Sequence, residues 1–253
     1  WSNLTIFWGC GTNLHRSPYN ARNHEYYSED AVLTSGQAVA FISGGKEYGV
    51  IIAPKHLAFN DTEINRTGVS VFMTEQQARE NELRGTQAAI EDAGALGVMT
   101  AFNRVGITAT NAHTGLLKNI LRGEWGFKGL ESQDFIMNPN YAVLKEYALN
   151  GGTMTTFTGE NTMAAVSEKF AYWTTENVGQ DTELMSAIKQ AMTWQAYALA
   201  NSNALDGMAS STRLVSVRTW YDNALVAVQV VFAALTVLAA AMYVLNDRKS
   251  KKQ

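Results

Sequence analysis

The stretch ALVAVQVVFAALTVLAAAMYVL, Ala224–Leu245, contains no charged residue, and it constrains this chain more than any other feature. As a helix it rises roughly 33 Å at 1.5 Å per residue, about the thickness of a hydrocarbon core. Helices buried in soluble domains are usually shorter. The flanks also suit a bilayer: Trp220 and Tyr221 precede the stretch, Tyr243 lies near its end, and Arg248, Lys249, Lys251 and Lys252 follow, placing aromatic and basic residues at the interfaces. Gln229 is the strongly polar exception, and an uncharged amide about one turn from the interface costs far less than a charge. The segment is expected to span a cell membrane once, in contact with the lipid bilayer. By the positive-inside rule the C-terminus lies in the cytoplasm and the residues before the helix lie outside the cell.

Those preceding residues have the composition of a packed domain. The whole chain is 253 residues with 46% hydrophobic content, enough for one sizeable core. Short apolar runs alternate with stretches of helical period over residues 1–206, which argues for an α/β fold of parallel strands covered by helices. Strands are expected at Leu4–Trp8, Gly49–Ala53 and Gly97–Ala101, in a weaker run leading into Asp134, and at Met154–Phe157. Helices are expected at Thr74–Ala93, His113–Leu121 and Thr182–Asn201. Small polar residues from Asn201 onward lead to a linker at 207–223, the membrane helix at 224–245 and a basic tail at 246–253.

Composition narrows the chemistry. Lys+Arg 20 against Asp+Glu 23 gives a net charge of -3, no basic field for a nucleic-acid backbone. Cys10 has no second cysteine to pair with. His15, His24, His56 and His113 lack the paired spacing of a zinc site, so no metal is expected, and no cofactor-binding motif stands out. The chain starts at Trp1 without a signal-peptide layout and reads as a piece of something longer.

In parallel-stranded barrels the chemistry collects on loops at the strands' C-terminal ends. Here those loops are polar and aromatic: GTNLHRSPYNARNHEYYSED after the first strand, PKHLAFNDTEINR after the second, FNRVG after the third and DF after the fourth.

NLHRSPYNARNHEYYSED, KHLAFND and GVMTAFNRVG…NAHTGLLKNILRGEWGFKG, in this order, resemble segments of the family 3 glycoside hydrolases, which include β-glucosidases. The resemblance covers roughly residues 5–206, including a closing helix, AIKQAMTWQAYALANSNALDG. It implies a partial (β/α)8 TIM-like barrel, followed here by the single transmembrane helix. It also implies retaining hydrolysis of terminal β-linked sugars through a covalent glycosyl-enzyme intermediate. Residue by residue, Asp134 matches the nucleophile, and Arg22, Lys55 and His56 match residues that grip the sugar. Their cationic character is expected to help keep Asp134 ionised.

The neighbouring acids Glu25, Glu29, Asp30, Asp61 and Glu63 are expected to serve in loop hydrogen bonds, and His113 in helix capping or packing. The sequons at Asn3, Asn60 and Asn65 are read as chance occurrences. In the resembled family the leaving oxygen is protonated by an acid from a separate domain. In domain-inverted bacterial members that domain precedes the barrel, so an upstream acid-bearing domain of a parent protein is the expected partner.

Three departures motivate an alternative to the hydrolase reading, a catalytically inactive, membrane-anchored sugar-binding remnant. GLESQDF replaces an apolar strand ending in Ser/Thr-Asp. Met154 stands where an aspartate is common, and Phe102 where a Tyr often reaches the nucleophile.

Overall fold

The computed structural model describes residues 4–60, 62–66, 68–135, 143–156, 171–206 and 218–250. Contacts divide the chain into two units, Trp1–Asp206 and Gly207–Gln253.

In chain order the first unit contains β1 (Ile6–Gly11), α1 (Ala31–Lys46), β2 (Ile51–Leu57), β3 (Ser70–Val71), α2 (Glu75–Gln77), α3 (Arg84–Glu91), β4 (Gly97–Thr100), β5 (Arg104–Val105), β6 (Thr108–Ala109), β7 (Leu130–Gln133) and α4 (Leu144–Leu149). The helices Thr175–Gln180 and Thr182–Ala200 follow. β1, β2, β4 and β7 form one parallel sheet in that spatial order. Each main strand thus lies beside the next one in the chain, without the order reversal of a doubly wound sheet, which is the winding of a TIM-type barrel. Beside β7 the order continues: Met154 bridges to Ser132, with Met154 N–H donating to Glu131 O at 3.0 Å. The expected strand at Met154–Phe157 is present as this single bridge, and Phe157 lies outside the described residues.

Side-chain alternation separates two apolar layers. Ile52, Leu57 and Val98 pack with helical residues such as Ala38, Ile42, Leu83, Ile90 and Leu121. Ile51 and Leu130 belong to a second cluster, with Ala198, Ile6, Trp8, Leu96 and Met154. β2 is buried almost throughout, as a parallel strand covered on both faces must be.

Several elements depart from the sequence reading. α1 was not foreseen; Asp30 caps it, accepting from Leu33 N–H at 2.7 Å. The expected helix Thr74–Ala93 is interrupted by a π-helical turn, Ala78–Glu82, in which Leu83 N–H reaches Ala78 O at 2.8 Å. The wider turn lets both Glu82 and Leu83 be buried. His113–Leu121 appears as a π-helical stretch at Gly115–Glu124, and His113 caps it: Nδ1 accepts from Leu116 N–H at 3.0 Å. A small sheet of β3, β5 and β6 was also missed. Its tight β5–β6 turn places Gly106 at φ +59, a backbone region open to glycine at little cost.

The second unit contains the helix Trp220–Ser250. Its residues Trp220–Leu245 are long and apolar enough to cross a membrane, with a stretch of 18 residues that reaches mean hydropathy 2.4. Linker residues 207–217 and the basic residues Lys251 and Lys252 lie outside the described residues, as do the side chains of Arg248 and Lys249.

Candidate active site

The candidate site is organised around the C-terminal end of β2, which carries Lys55 and His56 and runs on to Leu57, beyond the strand expected at Gly49–Ala53. Asn13, just beyond β1, clamps the His56 backbone twice: His56 N–H donates to Asn13 Oδ1 at 2.8 Å, and Asn13 Nδ2 donates to His56 O at 3.0 Å. The loop carrying Arg22 crosses the end of β1 at Gly11, which bridges to Tyr26. A Cβ at Gly11 would lie 2.6 Å from both Glu25 O and Tyr26 Cδ1, so the crossing requires glycine. Tyr26 then donates its hydroxyl to Asn60 O at 2.7 Å, tying the first loop to the second.

Asp134 follows β7. Leu130, Ser132 and Asp134 alternate onto one side of the strand, and Asp134 joins Trp8 in a cavity of about 380 Å³, within the usual range of about 300–1,000 Å³ for small-molecule sites. Arg22, Lys55, His56, Glu63, Arg66, Met99, Phe135 and Thr156 complete its lining. All four residues singled out by sequence, Arg22, Lys55, His56 and Asp134, therefore meet in one pocket. His56 Nε2 lies 3.4 Å from Asp134 Oδ2.

Charge in the pocket wall is heavily cross-linked. Glu25 Oε1 contacts Lys55 Nζ at 2.6 Å, and Glu25 Oε2 accepts from Arg22 Nε at 2.7 Å. Glu63 lies 3.4 Å from Arg22 Nη1 and 2.7 Å from Arg66 Nη1. Arg66 also lies over the Phe102 ring, 4.3 Å from its centroid. Burial pushes the Glu25 carboxyl up, but Lys55 and Arg22 outweigh it and hold it below the ordinary carboxylate value. His56 is held neutral, first by burial and then by Arg22, Lys55 and Arg66.

The cations favour the ionised form of Asp134, as expected of Arg22 and Lys55, although His56 is neutral and adds no charge. Burial raises the Asp134 carboxyl above the ordinary value 3.8, outweighing the Phe135 N–H and the charges of Arg66, Arg22 and Lys55. The Phe135 amide donates to Asp134 Oδ1 at 2.8 Å.

Sequence reasoning missed Arg66, Trp8, Met99 and Thr156 as lining residues. In the sequence Arg66 is only the middle residue of the Asn65 sequon. Glu25 and Glu63 are counter-charges to cations rather than ordinary loop anchors, and Asp61 lies outside the described residues. Each sequon includes a residue outside the described set, Asn3, Asp61 or Thr67, and the Asn60 side chain is buried.

The departures in GLESQDF fall largely on the strand's other side. Gln133 accepts from Asn111 Nδ2 at 2.7 Å. Glu131 is fully buried, and neither carboxylate oxygen has a hydrogen-bond partner among the described residues. The nearby Tyr147 hydroxyl is directed to backbone oxygens of Glu131 and Met154 at 3.0 and 2.9 Å, and Thr100 Oγ1 to Ser132 O at 3.4 Å. Burial pushes Glu131 up to about 7, with Tyr147, Arg122 and Thr100 offsetting only part of it.

A larger cavity of about 440 Å³ lies elsewhere, lined mainly by apolar residues including Phe59, Val71, Met73, Leu116 and Ile120. Size alone would favour it; the convergent charges and the buried carboxyl favour the smaller one. Among the described residues, no three His, Cys, Asp or Glu side chains are grouped as a metal ion would need.

Residues 4–168 match the family model of the glycosyl hydrolase family 3 N terminal domain. The chain belongs to this family. It is 41% identical over 123 residues to a β-glucosidase of Rhizobium radiobacter, covering 49% of this chain and 15% of that protein. With a β-glucosidase of Ruminococcus albus it shares 38% identity over 132 residues, covering 52% and 14%. Among solved structures, β-glucosidase 3B from Thermotoga neapolitana in complex with glucose superposes with a TM-score of 0.69 at 27% identity, covering 79% of this chain and 28% of that one. This family 3 chain thus spans a small part of the length of these relatives.

Proposed function

We propose that this chain supplies the nucleophile and sugar-gripping half of a retaining β-glucosidase-like active site. The observation that carries the reading is the convergence of Arg22, Lys55, His56 and Asp134 on one cavity. Asp134 attacks the anomeric carbon and the glycosidic bond to the leaving oxygen breaks, giving a glycosyl-enzyme ester; water then hydrolyses the ester. Arg22, Lys55 and His56 hold sugar hydroxyls and turn binding energy into orientation.

A retaining mechanism needs a second carboxyl about 5–5.5 Å from the first to protonate the leaving group. Glu63 lines the pocket but is engaged by Arg22, Arg66 and Asn60, and Glu25 is held ionised by its cations, so neither suits an acid. In this reading the acid comes from a domain outside this chain, upstream in a parent protein. Residues 1–206 form the partial barrel, 207–223 a linker, 224–245 a single membrane span and 246–253 a basic cytoplasmic tail. The barrel domain faces the cell exterior.

The test is hydrolysis of an aryl β-glucoside by the complete gene product and by its Asp134→Asn variant. The reading expects the variant to lose at least about a thousandfold in kcat; unchanged turnover would remove Asp134 from the mechanism. The unpaired Glu131 on β7, the strand that leads to Asp134, favours a second reading, a sugar-binding remnant without catalysis. Saturable glucose binding with no hydrolysis by the complete product would select it.

A further inference from the structure

Glu25 is not among the residues lining the pocket, yet its carboxylate joins the two principal cations that are. One oxygen faces Lys55 Nζ at 2.6 Å, and the other accepts from Arg22 Nε at 2.7 Å and Nη2 at 2.5 Å. Arg22, held this way, places Nη1 3.2 Å from His56 Nε2.

A guanidinium can only donate, so His56 Nε2 must accept, and in a neutral imidazole the proton then sits on Nδ1. The other side of the ring is consistent. Nδ1 lies 3.4 Å from Asn13 Oδ1 and 3.4 Å from the Tyr26 hydroxyl. The Asn13 amide is oriented by its two bonds to the His56 backbone, so Oδ1 faces the ring. The Tyr26 hydroxyl gives its proton to Asn60 O, leaving its oxygen free to accept. The other approach to Nε2 is Asp134 Oδ2 at 3.4 Å, which would favour a proton on Nε2 if Arg22 were absent.

We propose that Glu25 is a positioning residue that holds Arg22 and Lys55 in place, so that Arg22 donates to His56 Nε2 and fixes the imidazole as its Nδ1–H tautomer. His56 consequently offers a sugar hydroxyl no donor, only an Nε2 lone pair already engaged by Arg22. The sugar-binding half of this inference rests on the proposed function; the tautomer half stands on the geometry alone.

The experiment is nitrogen NMR of histidine-labelled full-length chain in detergent micelles, with the His56 signal assigned by its loss in His56→Gln, alongside glucose titration. The wild type is expected to show protonated Nδ1 and bare Nε2. In Glu25→Gln one cation faces the amide N–H₂ group, so Arg22 shifts, protonated Nε2 appears through the Asp134 contact, and glucose affinity falls at least about tenfold. Glu25→Asp keeps the charge and is expected to restore the wild-type tautomer. Protonated Nε2 in the wild type, or a Glu25→Gln variant with unaltered His56 signals, overturns the positioning role. A wild-type chain with the expected tautomer but no glucose binding leaves that role intact and instead counts against the sugar-site reading.

Discussion

Along the β1–β2 side of the pocket the charged groups of Arg22, Glu25, Lys55, Glu63 and Arg66 lie mostly out of water, each in contact with an opposite charge. On β7, beside Asp134, Glu131 is buried more deeply and its carboxylate has no hydrogen-bond partner among the described residues. The difference concerns compensation rather than burial. A paired cluster holds fixed donors at little reorganisation cost, whereas a buried carboxyl without a hydrogen-bond partner recovers only part of what it loses on leaving water. The first wall is therefore expected to be rigid and functional, and the second to be a stability liability that leaves the pocket's own geometry intact.

The largest effect should come from the uncompensated side. Glu131 has an ordinary value of 4.5 and stands near 7 in the fold. A carboxyl raised on folding binds more protons in the native state, so the contribution of Glu131 to stability is greatest below about 4.5 and falls as pH rises to about 7, by about 3 kcal/mol. Glu131→Leu should be more stable than wild type by about 3 kcal/mol at pH 8, with most of that pH dependence removed, as read from urea unfolding of the full chain. A destabilised variant at pH 8 would mean that Glu131 has a compensating partner after all.

On the compensated side, Arg22→Met removes contacts from both Glu25 and Glu63. Those groups retain Lys55 and Arg66 and are partly exposed, so the expected loss is about 2 kcal/mol, with weakened glucose binding by calorimetry. No change in either would dissolve the contrast between the walls. Asp30→Ala provides the smallest effect and the scale bar: it removes the cap of α1 at about 1 kcal/mol and should leave glucose affinity untouched.

The contrast also explains what could be read from the sequence. A strand ahead of Lys55-His56 was legible because the apolar run at Gly49–Ala53 breaks into polar residues, although β2 continues to Leu57; the run into Asp134 gave a weaker signal, and the closing helix matched its expected span almost to the residue. α1 escaped because AVLTSGQAVAFISGGK spreads glycines and small residues over a helix with no clear apolar stripe. The β5–β6 hairpin has strands of two residues each, too short to show alternation. The counter-charge roles of Glu25 and Glu63 depend on loops that meet only in three dimensions, and Arg66 was obscured by its place in a glycosylation pattern. Glu131 was visible as an anomaly in GLESQDF, but strand alternation was needed to see that it faces away from Leu130, Ser132 and Asp134.

The central claim, that Asp134 is the nucleophile of a sugar pocket, is tested most directly by trapping. The complete gene product would be incubated with an activated 2-deoxy-2-fluoro glucoside and its peptides examined by mass spectrometry. A fluoroglucosyl mass increment on the peptide containing Asp134, absent from Asp134→Asn, is the expected result; hydrolysis that proceeds with the label on another carboxylate would contradict the account.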